Sequence, residues 1–244
     1  MISRLLAALD LTSLGEDETP ADIEALCEKA AAAETHPAAI CMYPEHIVTA
    51  RRALDRFGAP RVAVAAVVNF PDGANDPDRA LRETRRALAA GADEIDIVFA
   101  WRAYTGGDRE SGPSILQQCK EICGPKLLKA IIETGELRDP LLIREVCESA
   151  IDAGADFIKT STGRSRIGAT PEAAQVILEC LHKRGRGGFK ASGGIRTLAQ
   201  ARGYLELAER ICGAGWATPG NFRIGSSSIL DAMRAVARAR YSDQ

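Results

Sequence analysis

Histidine is scarce in this chain: His36, His46 and His182 are the only three, and none falls at the end of a strand-like run. That argues against a Ser-His-Asp hydrolase or a histidine-ligated metal enzyme, since both place an imidazole at the reacting centre. A basic footprint is missing too. With a formal net charge of -2, nucleic acid and anionic membranes are not expected partners, and a small metabolite is. No run approaches about 18 uncharged apolar residues. Residues Met1 to Asp10 lack the apolar core and cleavage site of a signal peptide, so a cytoplasmic location is the expectation. Cysteine is present without a pattern. The seven are an odd number at irregular spacing, and Cys119 and Cys123, four apart, suit one helix better than a metal knuckle. Reduced thiols packed as small hydrophobes are expected, with no metal.

What is there is an ordinary globular composition, 46% hydrophobic and 26% charged over 244 residues, enough for one large core. Strand-like runs recur about every 30 residues, separated by segments of helical period. They cover Ala8–Thr12, Ala38–Tyr43, Arg61–Asn69, Glu94–Phe99, Leu127–Glu133, Phe157–Ser161, Gly188–Ala191 and Phe222–Gly225. Thr19-Pro20 and Thr170-Pro171 place a capping residue before a proline, as helix starts do, while Gly91 and Gly154 fall where helices should end. Strands alternating with helices imply parallel βα units, and eight of them close into a (β/α)8 barrel. The alternative is an open doubly wound sheet. Against it, the first strand-to-helix turn, Leu11 to Gly15, has no Gly-x-Gly-x-x-Gly fingerprint. A barrel of about 250 residues is one domain, so residues 1–244 are expected to form a single α/β domain, with a mobile tail over 239–244.

Two lysines stand out against that frame. Lys159 and Lys190 each lie in a short apolar run that breaks into small residues, Thr160 to Gly163 and Ser192-Gly193-Gly194. A buried ammonium must be paired or lose its proton, and a neutral lysine is a nucleophile that attacks carbonyls. Two close together are expected to lower each other's pKa. Barrel sites form at the C-terminal strand ends, where Asp10, Cys41, Asn69, Asp96, Lys129, Glu133, Lys159 and Lys190 collect. The strand period of two puts Asp96 with Val98, Lys129 with Ile131 and Glu133, and Lys159 with Phe157 and Ser161. These charges read either as a reactive cluster or as buried salt bridges alone. Glycine and serine follow the seventh and eighth strands at Ser192-Gly193-Gly194 and Gly225-Ser226-Ser227-Ser228. Backbone amides at such glycines, with a helix N-terminus behind them, favour a phosphate.

With these residues placed, the chain resembles the deoxyribose-phosphate aldolases, class I aldolases on a (β/α)8 barrel. The matching stretches are Leu9 to Thr12, Ala39 to Cys41, Val68 to Pro71, Glu94 to Phe99, Leu128 to Leu137, Phe157 to Gly163, Gly188 to Lys190, Gly193 to Arg196, and Arg223 to Gly225. Phe-Ile-Lys-Thr-Ser-Thr-Gly and Glu-Thr-Gly-Glu-Leu are the specific ones. The resemblance implies reversible cleavage of 2-deoxy-D-ribose 5-phosphate to D-glyceraldehyde 3-phosphate and acetaldehyde, with no metal or organic cofactor. Lys159 matches the Schiff-base lysine, Lys190 the second lysine whose charge activates it, and Asp96 the acid/base partner. Asp10 and Lys129 match residues that orient this set, and Thr160 and Cys41 are grouped with them as supporting. Cys41 reads either as a packed interior thiol or as a site open to aldehyde adducts.

Gly163, Gly193, Gly194, Gly225, Ser227 and Ser228 are the expected phosphate contacts. Arg196 reads as a phosphate contact or as a surface ion pair. Arg164 stands where some family members carry lysine, and Gly15 where a side chain such as asparagine is the pattern. Tyr241 stands near the C-terminus, where members can carry a tyrosine that enters the site, and the family suggests a homodimer. Rival readings are another Schiff-base aldolase or a transaldolase, a phosphosugar isomerase using Asp96 as base, and a non-catalytic phosphometabolite-binding protein.

Overall fold

The computed structural model describes residues 1–242, with side chains described through Val236. Of the tail expected over 239–244, residues 239–242 belong to the last helix, while residues 243–244 and the side chain of Tyr241 lie outside what is described. Eight strands run β1 Leu9–Thr12, β2 Ala39–Met42, β3 Ala63–Val68, β4 Glu94–Val98, β5 Leu127–Ile131, β6 Phe157–Lys159, β7 Gly188–Ser192 and β8 Phe222–Ser226. All are parallel. They follow one another around a closed barrel in which β8 returns to β1, pairing Leu9 with Ile224 and Leu11 with Ser226. That closure makes the protein a single-domain (β/α)8 barrel and rules out the open doubly wound sheet.

The helices are α1 Ile2–Ala7, α2 Pro20–Ala31, α3 Ile47–Arg56, α4 Pro77–Ala89, α5 Trp101–Thr105, α6 Ser111–Cys123, α7 Thr134–Leu137, α8 Pro140–Asp152, α9 Pro171–Arg184, α10 Leu198–Cys212 and α11 Ile229–Ser242. Their boundaries have local chemical causes. Thr19 and Thr170 cap α2 and α9, each accepting from a backbone amide three residues on, and Asp22 returns the bond to Thr19 in a capping box. Gly91 and Gly154 follow the ends of α4 and α8 as expected. The first six strands are shorter than the apolar runs suggested, and β7 and β8 each run one residue further. At the third, fifth and sixth runs the chain leaves the ladder early, and Asn69 and Glu133 take left-handed backbone angles, φ 50° and 56°, that turn it into the loops.

The outward faces of the strands pack against the helices in one continuous apolar layer that includes Ile40, Val64, Ile95, Leu128, Ile158, Phe189 and Ile224. Inside the barrel a second, smaller apolar group holds Ala39, Cys41, Ala65, Val67, Val98 and Ile131. It fills only the side formed by β2 to β5. The rest of the interior, supplied from β1 and β4 to β8, is given to charge, an arrangement that must be compensated because a buried unpaired ion costs several kcal/mol. Gly188 makes the floor of this half possible, since a Cβ there would stand 2.5 Å from the Phe157 ring.

Candidate active site

Seven ionisable side chains from six strands meet in the barrel interior, all of them buried. Strand register sets up the meeting. Asp96 lies beside Lys129, Lys159 beside Lys190, and Lys190 beside Arg223. Asp96 is the hub. Its Oδ1 accepts from Lys129 at 2.8 Å, and its Oδ2 accepts from Lys159 at 2.8 Å and from Lys190 at 2.7 Å.

Lys190 reaches Asp10 Oδ2 at 2.5 Å, and Lys129 reaches Glu94 at 2.5 Å. Arg223 closes the ring, bonding Asp10 at 2.7 Å and Glu94 at 2.8 Å, with its guanidinium 5.7 Å from the Phe157 ring centre. Three carboxylates thus face four cationic side chains. One positive charge is in surplus.

Burial alone would raise the Asp96 carboxyl, but Lys129, Lys159 and Lys190 overcome it and hold that group well below the usual carboxylate range. Asp10 behaves likewise: burial opposes its charge, and Lys190 and Arg223 more than offset it. Lys190 departs from expectation. Burial pulls its pKa down, yet Asp10 and Asp96 push it above the ordinary lysine value. The mutual lowering expected of two adjacent lysines therefore does not apply to Lys190, because carboxylates sit against it at shorter range than any repulsion. Lys190 is a fixed ammonium. Lys129, bracketed by Asp96 and Glu94, is raised against the pull of burial in the same way.

A cavity of about 550 Å³ opens above this network, lined from the ends of β1, β6, β7 and β8. Of the seven charged groups only Lys159 lines it; the other six lie beneath. Gly163, Gly193, Gly194, Gly225, Ser227 and Ser228, the residues expected to meet a phosphate, all line the cavity, with Arg164 and Arg196. Gly163, Gly193 and Gly194 have φ of 82°, 88° and 79°, a region open to glycine and costly to other residues. The loop after β8 runs directly into the N-terminus of α11, where backbone donors and the helix dipole favour an anion. Ser192 Oγ donates to Ser161 O at 2.5 Å and Ser226 Oγ to Ile195 O at 2.7 Å, fixing both phosphate-facing loops.

The remaining expected residues separate. Cys41 is buried with Sγ 3.6 Å from Asp96 Oδ2, and burial raises its thiol pKa; it does not line the cavity. Thr160 also stands away from the cavity, its hydroxyl donating to Ser192 O at 2.9 Å and accepting from Ser192 N at 3.0 Å, a strap between β6 and β7. Asn69 donates to Ala74 O and Val98 O at 3.0 Å, holding the loop after β3. Glu133 accepts from the Thr162 hydroxyl at 2.5 Å and shapes the loop after β6. Arg164 is tied to Leu14 O, to Tyr43 Oη at 3.2 Å and to Glu16 at 3.5 Å. Arg196 lines the cavity and makes no ion pair among the described residues. Glu94 and Arg223 were not expected in the network, nor were Ser13 and Glu18 in the cavity.

This arrangement places one amine at the wall of a substrate-sized cavity, backed by a charged acceptor and faced by an anion cradle. It is suited to adding a lysine to the carbonyl of a phosphorylated compound. Residues 4–218 match the model of a family described as DeoC/LacD family aldolase. Solved structures agree. A chain from Toxoplasma gondii ME49, named "putative deoxyribose-phosphate aldolase", superposes with a TM-score of 0.89 at 27% identity, covering 98% of this chain and 96% of that one. A chain of the same name from Coccidioides immitis gives 0.84 at 26%, covering 97% and 87%. "QR15, an Aldolase" gives 0.83 at 29%, covering 98% and 99%.

Proposed function

The chain belongs to the DeoC/LacD aldolase family, and on that premise we propose that it cleaves 2-deoxy-D-ribose 5-phosphate reversibly to D-glyceraldehyde 3-phosphate and acetaldehyde through a Schiff base on Lys159. The observation that carries the reading is positional. Lys159 is the one member of the buried ion network that lines the cavity, and of the four cations it is the one paired with a single carboxylate. Its neutral amine adds to the C1 carbonyl of the open-chain sugar, and loss of water gives an iminium. The hydroxyl on C3 then gives up its proton, the bond between C2 and C3 breaks, and its electron pair flows into the iminium as an enamine. Glyceraldehyde 3-phosphate leaves. Protonation of C2 and hydrolysis release acetaldehyde and restore the lysine.

Asp96 Oδ2, 2.8 Å from Lys159 and 2.7 Å from Lys190, is the nearest acceptor for the proton that Lys159 must give up. With Lys190 behind it, the same oxygen passes protons to and from the substrate through one water. Asp10 and Lys129 hold that pair from below. Backbone amides at Gly163, Gly193, Gly194 and Gly225, with the Ser227 and Ser228 hydroxyls, receive the phosphate, and Arg196 supplies its countercharge.

Reduction with borohydride in the presence of acetaldehyde, followed by peptide mass mapping, tests the proposal. A two-carbon adduct on Lys159 is the expected outcome. No adduct would sink covalent catalysis, and an adduct on Lys190 would exchange the two roles.

A further inference from the structure

Glu18 is the single acidic side chain among the described residues lining the cavity. It comes from the loop between β1 and α2 and is half-buried there. Its Oε1 accepts from Ser13 Oγ. Its Oε2 is shut off from solvent and accepts from no described group. Position 15 makes the room for this conformation: a Cβ on Gly15 would stand 3.0 Å from Glu18 Cγ and 3.2 Å from Oε1. A desolvated carboxylate oxygen without a donor is unfavourable. What the oxygen lacks is an N–H or O–H.

No donor on the cavity wall reaches it. Arg164 is engaged by Leu14 O, Tyr43 Oη and Glu16, while Lys159 bonds Asp96. A phosphate would bring only acceptor oxygens and like charge. A hydroxyl is neutral and donates, and a sugar phosphate carries several. Order around the barrel selects which one: Lys159 stands on β6, the glycine and serine loops on β7 and β8, and Glu18 follows β1, the next strand round. Glu18 is therefore a neighbour of the phosphate end, away from the carbonyl end.

We propose that Glu18 is a specificity-determining residue that accepts a hydrogen bond from the hydroxyl next to the phosphate-bearing carbon, and so selects the D configuration there. The inference rests on the aldolase reading above. Ser13 fixes the carboxylate on one side of the substrate, so only one enantiomer presents its O–H to it; the other presents a hydrogen and leaves the oxygen unpaired. Sites built to bond a substrate hydroxyl discriminate strongly against ligands that fail to supply it.

The test is aldol addition of acetaldehyde to D- and to L-glyceraldehyde 3-phosphate, with kcat/KM measured for each. Wild type should prefer D. Glu18→Ala should lower the D-to-L ratio roughly tenfold or more, the range for a hydrogen bond to a charged group. Glu18→Gln keeps an acceptor oxygen without the charge and should lower it less. The ratio is independent of how much folded enzyme each preparation contains, so partial unfolding does not obscure it. A ratio preserved in both variants overturns the role of Glu18 and leaves the aldolase reading standing, as does a wild type that uses both enantiomers equally. A wild type that adds acetaldehyde to neither overturns both.

Discussion

Replacing Lys159 and Lys190 by leucine, one at a time, should abolish cleavage in both cases and yet affect folding very differently. Lys159 bonds a single carboxylate oxygen, Asp96 Oδ2 at 2.8 Å. After Lys159→Leu, Asp96 still holds Lys129 and Lys190, and three carboxylates face three cations. A surplus buried charge has gone and an apolar group of similar length replaces it, so stability should stay within about 1 kcal/mol of wild type or rise. Lys190 bridges two carboxylates, Asp10 at 2.5 Å and Asp96 at 2.7 Å. After Lys190→Leu, Asp10 Oδ2 has only Lys129 at 3.8 Å, although Arg223 still holds Oδ1 at 2.7 Å. Stripping one partner from a buried ion pair costs about 3–5 kcal/mol, and the remaining Arg223 contact places this case at about 3. For a chain of this length that is a fall in Tm of about 6–12 °C. Circular dichroism melts at neutral pH read it directly. Equal losses in the two variants, or a larger one for Lys159→Leu, would refute the claim that Lys159 is the most weakly paired cation of the network.

Two further outcomes follow from the same geometry. Asp10 and Asp96 titrate well below the value of about 3.9 expected for an unfolded aspartate. The stability they contribute is fully present above that pH and is lost as pH falls through their folded values. Urea midpoints of Asp96→Asn should accordingly fall less than those of wild type between pH 5 and pH 3, and parallel declines would count against the assignment. Gly225→Ala would set a Cβ 2.8 Å from Ser192 Cβ and 3.2 Å from Lys190 Cε, an overpacking worth about 1–3 kcal/mol. Gly220→Ala, whose nearest neighbour would be Thr218 Oγ1 at 3.7 Å, is the control, and equal urea midpoints for the two would contradict that cost.

Much of the site could be read from the period of two. Asp96, Lys129, Lys159 and Lys190 fall on inward faces because strand side chains alternate, and the barrel closes them into one cluster whatever the loops do. The same rule reaches the two residues that were overlooked. Glu94 shares a face with Asp96 along β4, and Arg223 shares one with Gly225 along β8, so both could have been placed inside. Alternation alone does not mark them, because an acidic residue opening a strand can equally be a solvated end, and nothing in an isolated strand says that an arginine will find two carboxylates across a barrel. Glu18 is a different case. Its position depends on the fold of an irregular loop, on the missing side chain at Gly15 and on the Ser13 hydroxyl, none of which has a period. Alternation places the charges that a barrel must neutralise, whereas the groups that meet a particular substrate sit on loops, where local sequence leaves the backbone path open. That division explains why Lys159 is legible from its strand alone and Glu18 only from the folded chain.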